Sequence, residues 1–304
     1  MFNKLVQFIF FGNYFVGLLT IALALETAFQ LQLPFNSPAF YALAFMVVVL
    51  YYTYAYSGVM NPAATNNPRT LWYRKHFLFV KISQWTLLIA CGALGLWYTV
   101  HNFEGILLLP VYYWLVLGAV TIAGLLYYGI APHALAKFNL RNSGLLKAFV
   151  IGFVWACWVD LVPVIALRIE RHIDIPEPGF LLWSFIKNWM FCTVNAIMFD
   201  IKDYADDSNR QLKTFVVRMG LRKTIFYVLL PLLIIGILSL IVFASYRHFG
   251  LPTMFFNLIP FACLIGVAYS LHNRKPILYY LIVIDGLLLL KAVCGILGTL
   301  VRNV

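Results

Sequence analysis

The stretch Thr224 to Tyr246, TIFYVLLPLLIIGILSLIVFASY, contains no Lys, Arg, Asp or Glu. It reaches the ~20 residues a helix needs to cross about 30 Å of hydrocarbon. Leu5 to Leu25 and Ile82 to Phe103 are charge-free runs of the same kind. Across all 304 residues the hydrophobic share is 63 % and the charged share 11 %, against roughly 45–50 % and 25 % in soluble chains. This balance excludes a soluble globule and indicates an all-α polytopic membrane protein.

Charges and prolines leave room for nine transmembrane helices, near 5–27, 39–57, 78–100, 109–129, 147–167, 180–200, 224–246, 252–272 and 276–300. With that placement, fifteen Lys and Arg residues fall on one side of the membrane and four on the other, with Lys81, Lys187 and Lys291 inside helices. The positive-inside rule then puts the N-terminus in the cytoplasm and the C-terminus outside. The net charge of +11 is therefore a topological signal. No soluble domain carries a basic patch able to grip nucleic acid. Cys91, Cys157, Cys192, Cys263 and Cys294 lie in apolar stretches without Cys-x-x-Cys spacing, so they read as packing residues. Lys4 followed by an apolar run to Ala22-Leu23-Ala24 has the outline of a signal peptide. The run exceeds the usual h-region and Glu26 follows it directly, so it is expected to remain as a span.

Two basic loops echo each other. Pro68-Arg69-Thr70 follows the second helix and Leu212-Lys213-Thr214 the sixth, 144 residues apart. Shorter basic loops follow helices four and eight. The chain thus reads as two four-helix halves plus a ninth helix, in a single domain over residues 1–304. Polar residues gather at the cytoplasmic ends of helices two and six.

The densest polar feature is DIKDYADD, Asp200 to Asp207. At about 100° per residue, Asp200, Asp203 and Asp207 fall near 0°, 300° and 340° on one helical face. Three stacked carboxylates repel one another. A solvated helix cap tolerates this, and a divalent cation such as Mg²⁺, which prefers carboxylate oxygens, relieves it. Lys202, Arg210, Lys213 and Arg218 lie nearby, with Arg69, Arg74 and Lys75 on the equivalent loop. Acid and base interleaved at a membrane mouth suit a diphosphate, although the topological bias accounts better for any one of these cations taken singly.

Residues Asn195 to Gly220, NAIMFDIKDYADDSNRQLKTFVVRMG, resemble the second aspartate-rich motif of the UbiA superfamily of intramembrane prenyltransferases, with spaced aspartates, Lys-Thr and Arg-x-Gly. Pro132, Lys137, Arg141 and Lys147 leading to Trp155 add weaker likeness. The resemblance implies a UbiA-like transmembrane domain of nine helices around a lateral lipid-facing cavity. It further implies that Asp200, Asp203 and Asp207 coordinate Mg²⁺ and that Lys213 and Lys202 meet the diphosphate. The implied reaction transfers a polyprenyl group from an allylic diphosphate to an aromatic or lipophilic acceptor. One departure stands out. The family's first motif carries aspartates, whereas Tyr56 to Thr70 here contains no carboxylate. Asn61, Asn66 and Asn67 are its neutral remnant, and Arg69 and Arg74 are expected to compensate by binding phosphate directly.

Glu26, Lys81, Asp160, Lys187, Asp285 and Lys291 lie within helices, where ionisable groups are costly and need partners. A structural ion pair of Glu26 with a lysine of helix six or nine is the expectation. Tyr52 and Tyr56 share a face near the mouth and are candidates for cavity lining. His76, His133 and His172 form no pair at metal-ligand spacing. Two alternatives accompany the enzyme reading. One is a catalytically diverged UbiA-like protein that binds a lipid or a partner, favoured by the carboxylate-free stretch. The other is a transporter built on duplicated halves, with Asp160 or Asp285 in its pathway.

Overall fold

The computed structural model describes residues 2–54, 56, 67–128, 140, 143–175, 177–209, 211–273 and 275–302. Among the described residues helix makes up 86 % and no strand occurs. The helices are α1 (Phe2–Phe11), α2 (Tyr14–Gln30), α3 (Pro38–Tyr54), α4 (Pro68–Lys75), α5 (Phe77–His101), α6 (Phe103–Leu107) and α7 (Val111–Tyr128). They continue as α8 (Leu145–Arg171), α9 (Pro178–Lys202), α10 (Tyr204–Asn209), α11 (Phe215–Met219), α12 (Leu221–Tyr246), α13 (Leu251–Ser270) and α14 (Ile277–Val301). Pro68, Pro178 and Pro252 stand in the first turns of α4, α9 and α13, where a missing N–H costs nothing and the fixed φ favours the helix.

Each of the nine stretches expected to be helical is helical over most of its length. Five helices, α5, α8, α12, α13 and α14, are long and apolar enough to cross a membrane, and the bent pair α1–α2 makes six. Helices α3 and α7 are apolar but shorter. Helix α9 is 25 residues long, but Lys187, Asn188 and Asn195 interrupt it, and it is not among the five. Along α5 the crossing window has no buried residue, and Ile82, Trp85, Ile89, Leu96 and Val100 are exposed. An apolar surface of that extent is matched by lipid and poorly by water. Several long apolar helices of this kind suggest an integral membrane protein.

The first expected helix, 5–27, requires correction. It breaks between α1 and α2 with a bend of 62°. Asn13 sits there at φ 64°, a conformation Asn tolerates better than most residues. Its side chain bonds to Thr53 and Tyr73 instead of lying idle in an apolar helix.

The chain forms two compact units. The first comprises Met1–Ala22, Phe35–Leu109 and Ile165–Asp174, and the second Leu23–Pro34, Pro110–Val164 and Ile175–Val304. In the first, α3 packs on α5. In the second, α8 packs on α9 and α13 on α14. Gly152 makes the former possible, because a Cβ there would collide with Thr193 Oγ1. Leu31, Val164, Phe180 and Leu181 form a cluster covered by Trp183 and Phe243, whose rings stack at 3.9 Å. Three helices of the second unit contain a widened π-helical turn, Cys157–Leu161, Ile225–Leu229 and Tyr280–Ile284. The first of these carries Asp160.

Candidate functional site

Two of the three motif aspartates converge in the second unit. Asp200, in the last turn of α9, is 3 % exposed and Asp207, in α10, is 5 % exposed. Lys147, in the first turn of α8, joins them. Its Nζ lies 2.8 Å from Asp200 Oδ1 and 3.3 Å from Asp207 Oδ2. Asp203 ends α9, and its carboxylate lies 3.3 Å from Lys202 Nζ. Helix α9 does not run through Asp203, yet the Asp207 N–H still donates to the Asp203 carbonyl at 2.9 Å. Asp200 and Asp207 remain close enough to share one ammonium.

Thr214 and Gly220 of the same motif, with Gly144 from outside it, shape the segment after α10. Thr214 is fully buried and caps α11 by accepting the Val217 N–H, the usual role of a hydroxyl at an N-cap. Gly220, at φ 83°, ends α11 in the left-handed region that glycine enters freely. Gly144, at φ 65°, lies under the Lys213 backbone, where a Cβ would stand 2.7 Å from the Lys213 carbonyl oxygen. Lys213 is thereby fixed by its backbone against the start of α8, while its side chain is exposed.

The donor chemistry fits a hard divalent ion in kind. Asp200 Oδ2 is buried without a hydrogen-bond partner, and a buried lone pair left open in this way calls for a cation or an ordered water. Among the described residues no group of three or more His, Cys, Asp or Glu side chains is drawn together as a metal cage. Asp200 and Asp207 are the convergent pair, and Asp203 is turned toward Lys202.

In the first unit, Arg69 has a structural task. It is 6 % exposed. Its guanidinium donates to the Phe11 carbonyl at 3.0 and 3.3 Å and to Asn13 Oδ1, holding the break between α1 and α2. It also lies 4.4 Å from the Tyr56 ring centroid, and Tyr56 stacks on Tyr73 at 4.7 Å. Tyr73 donates to the same Phe11 carbonyl at 2.8 Å. Burial pushes the Tyr73 phenol above its ordinary value, against the opposing pull of Arg69, so it serves as a neutral donor. Asn67 caps α4, its Oδ1 accepting the Arg69 N–H at 3.0 Å. Asn61 and Asn66 lie outside the described residues, as do Lys137, Arg141 and Arg210. Tyr56, Arg74 and Lys81 line a cleft of about 380 Å³, and Tyr52 is not among its lining residues.

A second polar cluster occupies the interior of the second unit. Glu26, 1 % exposed, lies 2.6 Å from Lys291 and 3.7 Å from Lys187. Gln30 links the set, donating to Glu26 at 2.9 Å and accepting from Lys187 at 3.0 Å. The expected pairing of Glu26 with a lysine of helix six or nine is thus present with both. Asp160 accepts from Thr27, Ser184 and Asn188 at 2.8–3.0 Å. Two acids, two lysines and their amide and hydroxyl neighbours form a charge-balanced core.

Lys147 is the site residue that sequence reasoning passed over, since it was counted with the cytoplasmic charges. The signal available was its place in the Pro132 to Trp155 segment. The chain matches no known family, no curated protein and no solved structure with which it was compared.

Proposed function

We propose that this protein is a UbiA-like prenyltransferase, a single domain of nine transmembrane helices in two four-helix halves plus one, with the N-terminus cytoplasmic and the C-terminus outside. Its substrates would be a polyprenyl diphosphate and an aromatic or lipophilic acceptor. The observation that carries the proposal is the convergence of Asp200 and Asp207 on Lys147 with Asp200 Oδ2 open, inside the stretch that resembles the family's second motif.

Asp200 and Asp207, joined by Asp203 on turning from Lys202, would hold Mg²⁺, which when bound supplies Lewis-acid neutralisation of the departing diphosphate. Lys147 keeps two buried carboxylates together that would otherwise repel, so the acidic face is preorganised. Lys213, exposed and fixed through its backbone by Gly144, and Lys202 meet the diphosphate oxygens. The allylic C–O bond breaks with its electron pair leaving on diphosphate, and the acceptor forms the new bond and gives up a proton. Arg69 takes no part in this scheme, because its guanidinium is engaged at the end of α1.

The reading as a diverged lipid- or partner-binding protein keeps one supporting observation. The carboxylate-free stretch Tyr56 to Thr70 ends in residues, Asn67 and Arg69, that have structural roles. Paramagnetic Mn²⁺, which shares the oxygen preference of Mg²⁺, separates the two. With a non-hydrolysable polyprenyl diphosphate, the detergent-purified protein should quench the free Mn²⁺ resonance, and Asp200→Asn should abolish the quenching. Equal quenching by wild type and variant would remove the metal site.

A further inference from the structure

The cleft of the first unit is open to explanation on its own terms. Its volume of about 380 Å³ lies within the roughly 300–1,000 Å³ of small-molecule sites. Tyr54, Tyr73 and Trp85 supply aromatic wall, Arg74 and Lys81 supply two cations, Gln84 supplies an amide, and no Asp or Glu lines it. Lys81 stands in the second turn of α5, a helix able to cross the membrane. A cation at that depth is costly without a counter-charge. Among the described residues Lys81 is in no ion pair. Glu26 is the single acid between residues 1 and 103, and it is held by Lys187 and Lys291 in the second unit. The missing anion must therefore come from outside this stretch of chain.

The order of groups along α5 describes that anion. Lys81, Gln84 and Trp85, and Leu88 follow one another at helical spacing on one face, polar first and apolar deeper into the helix. Arg74 lies before them in the last turn of α4. The α5 surface is exposed along its crossing window, so the cleft opens toward lipid. We propose that it binds an anionic membrane phospholipid, with the phosphate between Arg74 and Lys81 and an acyl chain along Trp85 and Leu88. This site is independent of prenyl transfer and of the aspartates of the second unit.

The test is native mass spectrometry of the delipidated protein in mild detergent, titrated with phosphatidylglycerol or with phosphatidylcholine of the same chains. One phosphatidylglycerol should bind, at least fivefold tighter than phosphatidylcholine. Lys81→Gln and Arg74→Gln should each weaken it about fivefold, the scale of one basic residue at a charged lipid surface. Lys81→Arg should restore the wild-type affinity, which separates loss of charge from loss of fold, and Lys223→Gln on α12 should change nothing. Equal affinity for the two lipids, or unchanged phosphatidylglycerol binding in both Gln variants, would overturn the proposal. So would displacement of the lipid by inorganic diphosphate in a Lys81-dependent manner, because the cleft would then be a site for a soluble anion.

Discussion

Lys147 bears on two carboxylates at once, and its removal is the sharpest single-residue perturbation available. Lys147→Met would leave Asp200 and Asp207 facing each other, both almost fully buried, without their shared counter-charge. Breaking a buried pair from one side costs about 3–5 kcal/mol. A lowered melting temperature in detergent is the expected result, and adding Asp200→Asn to Lys147→Met should recover part of it. Melting unchanged from wild type would mean that the ammonium does not hold the acids. The sequence shows the aspartates and their spacing plainly, since both depend on local residue order. The partner was not legible there, because Lys147 and Asp200, 53 positions apart in sequence, are brought together only by the packing of α8 on α9. Asn67 and Thr214 each precede a helix start with a residue type that accepts a backbone N–H, a local signal that the reading of Asn67 as a motif remnant and of Thr214 as part of Lys-Thr passes over.

Among the elements, the α1–α2 break and the interior ion cluster show what periodicity conveys and what it hides. An apolar run from Leu5 to Leu25 reads as one helix. Asn13 breaks it by finding Thr53, Tyr73 and Arg69 on α3 and α4, partners that no hydropathy pattern reveals. Glu26, Lys187 and Lys291 were legible as a group in need of pairing, since bilayer depth forbids isolated charges. That both lysines approach one carboxylate could be read only from the arrangement of α2, α9 and α14. Glu26→Gln and Lys291→Met should each destabilise the protein. Together they should cost less than the sum of the two by about 0.5–3 kcal/mol, the coupling expected of residues in one network. Strict additivity in thermal melts would show that the 2.6 Å pair contributes nothing beyond its separate residues.

For the whole molecule, composition alone established the class: a helical chain of several membrane-length apolar helices follows from 63 % hydrophobic and 11 % charged residues. The number of crossings is harder, because α3, α7 and α9 combine helical form with lengths or polar residues that blur the hydropathy signal. The charge bias of the loops supports the proposed nine crossings and therefore termini on opposite sides. Reporter fusions to each end should place the N-terminus in the cytoplasm and the C-terminus outside, whereas both ends on one side would require an even number of crossings. The central proposal, that the acidic face of the second unit holds a diphosphate through Mg²⁺, is tested most directly by thermal stability against a non-hydrolysable polyprenyl diphosphate, with and without Mg²⁺. A ligand at 100 times its dissociation constant adds about 2.7 kcal/mol. Stabilisation that requires Mg²⁺ and disappears in Asp203→Asn is the predicted result. A shift that is absent, or that persists without Mg²⁺ and in the variant, would contradict it.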